Sequence, residues 1–186
     1  MREEWVNRIA ITWCNRTKQR QLRQLLDRYG SATESIAHHP EMISRAAIEH
    51  AQKELDFIEK HSVQLYYYKD SNYPYRLAQC TDAPLLLYAK GNVEVNPKHV
   101  VSIVGTRMPS ERGKDWCRQL VIDLASHIPD LTIVSGLAYG IDVIAHKTAL
   151  ESGIPTIIVP AHGLDRIYPA THRNVAVQAL ERGGVL

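Results

Sequence analysis

Three short polar stretches carry the residue types that could do chemistry, and each follows an apolar run and precedes a helical pattern. The first is Gly105-Thr106-Arg107-Met108-Pro109-Ser110. Gly105 lets a ligand approach the backbone, Arg107 places a fixed positive fork beside it, and Ser110 suits a helix cap. Taken alone, Arg107 reads equally as a surface arginine. The second stretch is Ser135-Gly136-Leu137-Ala138-Tyr139-Gly140-Ile141-Asp142, followed by Ala145-His146. Two glycines four apart ahead of a helix make a run of amide hydrogens that can cradle an anion, and the Ser135 hydroxyl adds a donor. Asp142 in the first helical turn favours the helix dipole. His146 lies four residues on, on the same face, so a hydrogen-bonded pair is open to the two, as is a buried pair that only fixes the loop. The third stretch runs Pro160-Ala161-His162-Gly163-Leu164-Asp165-Arg166-Ile167-Tyr168-Pro169, then Thr171-His172-Arg173-Asn174. Arginine near backbone amides suits phosphate, and an aromatic face suits a base.

The chemistry on offer is anion binding rather than bond breaking. No GK[ST] follows the paired glycines, so they are not a Walker A loop, and their spacing is not GxGxxG. No stretch combines a nucleophile, a base and an orienting group, and no cluster has metal-ligand spacing. The reading is therefore of a binder with no catalytic residues, no metal and no cofactor. A positive track of Arg107, Arg112, Lys114, Arg166 and Arg173, with Tyr139 and Tyr168 as stacking platforms, fits a single-stranded nucleic acid. Either tyrosine alone reads as readily as a rim or core residue.

The elements that must position these stretches follow from periodicity. Val100–Val104, Leu131–Val134 and Thr156–Val159 are apolar runs. They alternate with helical patterns over Glu111–His127, Ile141–Ser152 and Thr171–Glu181, the first with Trp116, Leu120 and Leu124 turned inward. That alternation signals an α/β doubly wound parallel sheet, whose ligands bind at the carboxyl ends of the strands. Val185-Leu186 starts a fourth strand, so the sheet is expected to be incomplete at its C-terminal end. Upstream, Val63–Tyr68 and Leu85–Tyr88 read as short strands, with an irregular turn at Tyr73–Leu77. Tyr66, Tyr67, Tyr68, Tyr73 and Tyr75 are expected to pack these strands rather than meet a ligand.

Residues 1–60 read as all-helical and residues 61–186 as a second domain. The helical segments are Ile9–Tyr29 closed by Gly30, a short helix capped at Ser31 or Thr33, and Glu41–Lys60 with Ala47, Ile48, Ala51, Leu55 and Ile58 on one stripe. Residues 2–28 hold seven basic and three acidic side chains, and 34–59 hold two and six, a dipolar layer or two solvated faces of opposite sign. The net charge of +2 does not by itself announce a polyanion partner. Ordinary globular composition, the lack of an eighteen-residue apolar run and the N-terminus Met1-Arg-Glu-Glu argue against disorder, a membrane span and a secretory signal. Cys14, Cys80 and Cys117 are odd in number and scattered, which argues against a disulfide framework. A cytoplasmic protein is expected.

The sequence also resembles a known family, the bacterial DNA-processing protein A (DprA/Smf) family. Ser135–Asp142 with His146 is similar to its SGxAxGID…AH signature, and Gly163-Leu-Asp165…Tyr168-Pro169…His172 to its GLDxxYPxxH segment. Gly105-Thr-Arg107 is similar to its G-[ST]-R loop, and Tyr73-Pro…Leu77…Asp82-Ala-Pro84…Leu87-Tyr88…Gly91 to its YPxxL…DxPxxLYxxG segment. Leu25–Ser31 is similar to the LLxxFGS of its sterile-alpha-motif-like (SAM-like) helical domain. The chain departs from the family at Thr12–Lys18, which lacks a glycine hairpin, and at Val159–His162, where relatives carry a glycine-containing turn.

The resemblance implies an extended Rossmann-like domain behind a small SAM-like one, and a protein that holds single-stranded DNA. Such a protein protects incoming DNA and helps load the RecA recombinase during natural transformation, with a possible homodimer and no membrane partner. By motif position, Arg107 with Gly105 and Thr106 contacts one phosphate, and the backbone of Ser135, Gly136, Leu137, Ala138, Tyr139 and Gly140 cradles another. Gly163, Tyr168, His172 and Arg173 flank the strand, and Asp142, His146 and Asp165 brace the loops. The alternative from the residues is a nucleotide-binding enzyme or sensor of phosphoribohydrolase type, since the same loops hold one phosphate as readily as several. The PGGxGTxxE loop of such enzymes does not occur in residues 1–186.

Overall fold

The structure, a computed structural model, describes residues 1–14 and 19–186. The expected glycine-free turn at Thr12–Lys18 therefore falls partly outside the described residues, at 15–18. The chain divides into two compact units, Met1–Leu87 and Tyr88–Leu186.

The first unit begins with helices α1 (Arg2–Thr12), α2 (Gln19–Tyr29) and α3 (Ala32–His38), so the Ile9–Tyr29 pattern covers two helices rather than one. A 3-10 turn at Pro40–Met42 precedes α4 (Arg45–Lys60), followed by β1 (Gln64–Tyr67) and a one-turn helix α5 (Tyr75–Ala78) where an irregular turn was expected. Ser31 caps α3 by accepting from the Glu34 amide at 3.1 Å, and Ser44 caps α4 by accepting from Ala47 at 3.1 Å. The Glu4 carboxylate accepts from the amides of Ala32 and Thr33, both at 3.0 Å. Ile9, Ala10, Ile11, Leu26 and Ala51 form its buried centre.

The division at Leu87/Tyr88, rather than at the expected 60/61, has a physical cause. Helical side chains reach the segment after residue 60. The Arg8 guanidinium lies 4.0 Å over the Tyr67 ring, and the Tyr68 hydroxyl donates to Asp27 at 2.8 Å. Lys69 donates to the Leu26 carbonyl at 2.7 Å, and Arg23 to the Ala83 carbonyl at 2.8 Å. Tyr66, Tyr67 and Tyr73 are buried, whereas Tyr75 is exposed.

In the second unit, β2 (Leu86–Gly91) continues from the first unit into β3 (His99–Ser102), α6 (Glu111–His127), β4 (Leu131–Ser135) and α7 (Ile141–Glu151). Then come β5 (Thr156–Ile158), a 3-10 turn at Ala170–His172, α8 (Arg173–Glu181) and β6 (Gly183–Val185). The strand order is β1-β2-β6-β5-β4-β3. Strands β3 to β6 are parallel, while β2 pairs β6 antiparallel through Lys90↔Val185 and Gly91↔Gly184. The fourth strand of the alternating pattern is thus interior, between β5 and β2, and the sheet is mostly rather than wholly parallel.

Helix α6 has the expected bounds but a different inner face. Trp116 and Leu120 are 70% and 47% exposed, and Cys117 and Val121 are buried instead, with Leu124 packed against the same core. Leu124 belongs to both stripes, and a rotation of one residue exchanges the rest. Cys117, Val121, Ile133, Ala145 and Ala149 form a core on this side of the sheet, and Leu137, Val143, Ile158, Val175, Ala176 and Ala179 form a second one.

Candidate nucleic-acid interface

The carboxyl ends of β3, β4 and β5 carry the three polar loops. The first two are locked together. The Ser135 hydroxyl donates to the Ile103 carbonyl at 2.6 Å, and the Ile141 amide donates to the Thr106 carbonyl at 3.2 Å. Gly140 has φ of +82°, and a Cβ there would lie 2.2 Å from the Thr106 oxygen; a Cβ on Gly105 would lie 2.7 Å from the Ile141 side chain. Only glycine permits this approach. Two expectations change as a result. The Ser135 hydroxyl is used within the sheet and is not an added donor for an anion, and the missing Cβ of Gly105 makes room for Ile141 rather than for a ligand.

Leu137 turns its side chain into the core at φ of +65° and presents its carbonyl to His172, whose Nδ1–H donates at 2.8 Å. The buried His172 ring meets Tyr139 edge-on, with centroids 5.0 Å apart. His172 therefore supports Tyr139 from behind and does not line the cleft. Among the described residues, the amides of Gly136, Leu137, Ala138, Tyr139 and Gly140 have no hydrogen-bond acceptor, the free donor set that an anion cradle requires.

Asp142 and His146 are both buried, and of the two readings open to them the direct hydrogen bond does not form. The Thr156 hydroxyl donates to the Ile133 carbonyl at 3.0 Å, so His146 Nδ1–H must be the donor in its 2.7 Å contact with Thr156 Oγ1. That leaves Nε2 unprotonated and without a hydrogen-bond partner. Burial pushes the imidazole down to about 4, against the Ser135 carbonyl and the Asp142 carboxylate, which favour the charged form. His146 thus ties α7 to β4 and β5 as a neutral ring. The carboxylate of Asp142 lies against Gly136, where a Cβ would be 2.9 Å from Oδ2.

The third loop is organised by His162. The Tyr168 amide donates to Nε2 at 3.1 Å, which fixes Nε2 as the acceptor, and Nδ1–H donates to the Gly163 carbonyl at 2.9 Å. The Tyr168–Pro169 peptide is cis. Asp165 is exposed, with its carboxylate beside Gly163. Between this loop and the β4 loop lies a cleft of about 450 Å³ lined by Arg107, Gly136, Ala138, Tyr139, His162, Arg166 and Tyr168, with Ala161, Ile167 and Pro169 completing its wall. Tyr168 is 65% exposed. Among the described residues, neither Arg107 nor Arg166 lies within ion-pair distance of a carboxylate. Two unpaired guanidinium groups, free amides and two tyrosines around one open cleft can hold phosphate and present a face to a base.

Of the expected contact residues, the cleft collects Arg107, Gly136, Ala138, Tyr139 and Tyr168. Gly105, Thr106, Ser135, Leu137, Gly140, Gly163, His172 and Arg173 lie outside its lining, the first five as packing or backbone around it and Arg173 on the exposed start of α8. Among the described residues no group of three or more His, Cys, Asp or Glu side chains could hold a metal ion.

The family model of DNA recombination-mediator protein A matches residues 64–186, two thirds of the chain. The chain belongs to that family. It is 40% identical over 106 residues to the DNA processing protein DprA of Streptococcus pneumoniae, covering 57% of this chain and 36% of that protein. It is 39% identical over 114 residues to the Escherichia coli protein Smf, covering 61% and 30%. The chain thus spans about a third of the length of these relatives. The crystal structure of the S. pneumoniae DprA superposes with a TM-score of 0.71 at 26% identity, covering 95% of this chain and 64% of that one. DNA processing protein A of Helicobacter pylori, whose structure was described for its single-stranded DNA binding mode, matches with a TM-score of 0.53 at 29% identity, covering 66% and 54%.

Arg166, expected in the positive track though not among the contacts carried by the motifs, and His162, which was not expected at the ligand, both line the cleft. Arg166 sits inside the GLDxxYPxxH segment at an unspecified position of the pattern. His162 was visible only as a departure from the family's glycine-containing turn.

Proposed function

We propose that this chain is the single-stranded DNA-binding portion of a recombination mediator that protects incoming DNA and helps load the RecA recombinase. The cleft at the β3, β4 and β5 loops receives the strand. Arg107 and Arg166 neutralise phosphates, the free amides of Gly136–Gly140 cradle another, and Tyr139 and Tyr168 offer faces to bases. Arg173 extends the positive track, and Asp142, His146 and Asp165 brace the loops. In this reading the site binds and does not catalyse, works without a cofactor, and has single-stranded DNA, RecA and a second copy of the protein as its partners. Among the described residues no helix is long and apolar enough to cross a membrane. The similarity to the two solved DNA processing proteins supports the reading, and the observation that carries it is the unpaired Arg107 beside the amide-rich loop.

The test is a fluorescence-anisotropy titration with a labelled oligonucleotide over a salt series. Each phosphate neutralised contributes about 0.7 to the slope of log K against log salt for a single strand. Arg107→Ala is expected to weaken binding and to make that slope shallower by about 0.7. Tight mononucleotide binding with oligonucleotides ignored would replace this reading with the nucleotide-enzyme one.

A further inference from the structure

The His162 ring meets one residue twice. Its Nδ1–H donates to the Gly163 carbonyl at 2.9 Å, and its Nε2 accepts from the Tyr168 amide at 3.1 Å. The same Nε2 lies 3.3 Å from the Tyr168 carbonyl oxygen. An unprotonated Nε2 makes no bond to that oxygen, because both atoms only accept. A doubly protonated ring reverses the pairing: Nε2–H donates to the carbonyl, and the Tyr168 amide loses its acceptor. Two hydrogen-bond arrangements are thus open to one ring, and a single proton separates them.

The surroundings of the ring decide what that proton does. Arg107 from the β3 loop, Tyr139 from the β4 loop, and Arg166 and Tyr168 from its own loop line the cleft with it. Lys90 of β2 lines a smaller pocket behind the loop together with His162 and Arg166. Asp165, the one carboxylate in residues 160–169, lies beside Gly163. Among the described residues no carboxylate is within ion-pair distance of the ring. A charged imidazole here faces cations and tyrosines, and a phosphate in the cleft supplies the missing counter-charge. Protonation also releases the Tyr168 N–H, a further donor at the cleft wall, so both changes favour an anion. We propose that His162 is a proton-linked contact for the strand. When single-stranded DNA enters the cleft, Nε2 takes up a proton from solvent. Its hydrogen bond passes from the Tyr168 amide to the Tyr168 carbonyl, and one positive charge is added beside Arg107 and Arg166. The proposal rests on the single-stranded DNA reading of the cleft and adds regulation by pH to it.

The experiment is anisotropy with a labelled oligothymidylate between pH 8 and pH 6, inside the interval where histidine changes charge, each pH over a salt series. It compares the whole chain with His162→Gln, which keeps an acceptor for the Tyr168 amide and takes up no proton. The buried His146 and His172 are the same in both proteins, so their contribution cancels. Full linkage of one proton changes affinity by about tenfold per pH unit. The unmodified chain is expected to bind about fivefold tighter at pH 6 than at pH 8. Its slope of log K against log salt should be steeper at pH 6, by up to about 0.7. In His162→Gln both pH-dependent changes should be lost, with the salt dependence due to Arg107 retained. Calorimetry of the unmodified chain at pH 7, in two buffers of different ionisation heat, counts the proton directly. No proton uptake on binding overturns the proposal, whether or not the variant folds. Equal pH dependence in the two proteins overturns it as well and leaves the cleft reading in place. Oligonucleotide binding indifferent to Arg107→Ala overturns the cleft reading on which it rests.

Discussion

His146 offers a test of how the loop-bearing core is held, because its protonation state is tied to burial. The ring has no solvent-exposed surface, donates through Nδ1 to Thr156 and carries an unprotonated, unpartnered Nε2. Burial lowers its pKa from 6.5 to about 4. Between those values the unfolded chain binds a proton that the folded chain refuses, so stability rises with pH across this window and is lost as pH falls. The contribution is fully present above pH 6.5. One pKa unit corresponds to about 1.4 kcal/mol, so the loss reaches about 2 kcal/mol at pH 5 and levels off near 3 kcal/mol below pH 4. Against a typical total of about 5–15 kcal/mol this is a large share.

Urea unfolding followed by far-ultraviolet circular dichroism from pH 7 to pH 5 measures it. That interval lies above the range in which Glu4, which is held below its ordinary value of 4.5, begins to protonate. Burial alone would raise Glu4, but bonds from Thr33, the Ala32 amide and Arg8 outweigh it. His146→Asn keeps a donor near Thr156 and cannot titrate. The variant should be less stable at pH 7 and lack most of the slope between pH 7 and pH 5. Parallel losses in the two proteins would refute the assignment of a neutral, buried His146.

Two further outcomes follow from packing. Gly140→Ala places a methyl group 2.2 Å from the Thr106 oxygen at a φ of +82°, so it should destabilise the chain by more than about 2 kcal/mol in thermal melts and weaken oligonucleotide binding, since the β3 and β4 loops must part to admit it. On α6, Val121→Ala should cost about 1–3 kcal/mol, whereas Trp116→Ser should change stability by less than about 0.5 kcal/mol; equal effects would contradict the observed inner face.

The pattern of the second unit was legible because its signals are local. Alternating apolar runs and helical stripes, bounded by Gly and Pro, mark β3 through α8, and Ser31 and Ser110 mark helix starts three residues before the amides they accept. What local pattern could not supply was the destination of individual polar atoms. The sequence places Ser135 in the right loop, but its hydroxyl donates to Ile103, just past the end of another strand, rather than to a ligand. His172 and His146 sat correctly in their motifs, but their partners, Leu137 and Thr156, are tertiary neighbours. The same holds for the boundary between the units. Arg8, Arg23 and Asp27 look like surface charges in a basic helical segment until their partners beyond residue 60 are known.

This division has a consequence for the cleft itself. Three residues that the sequence offers to a ligand, Ser135, Gly105 and His172, are occupied in making the loops rigid. Those left open, Arg107, Arg166, Tyr168 and the amides of Gly136, Ala138 and Tyr139, include one residue that the motif leaves unspecified and three backbone groups whose donors do not depend on side-chain identity. Under the proposed reading, such a site would hold phosphates through a preorganised backbone, with the third loop adding Arg166 and Tyr168. Substitutions at the signature glycines and histidines should therefore be read first as damage to the scaffold. Substitutions at Arg107, Arg166, Tyr139 and Tyr168 report on the ligand, and for them a change in affinity at constant stability is expected.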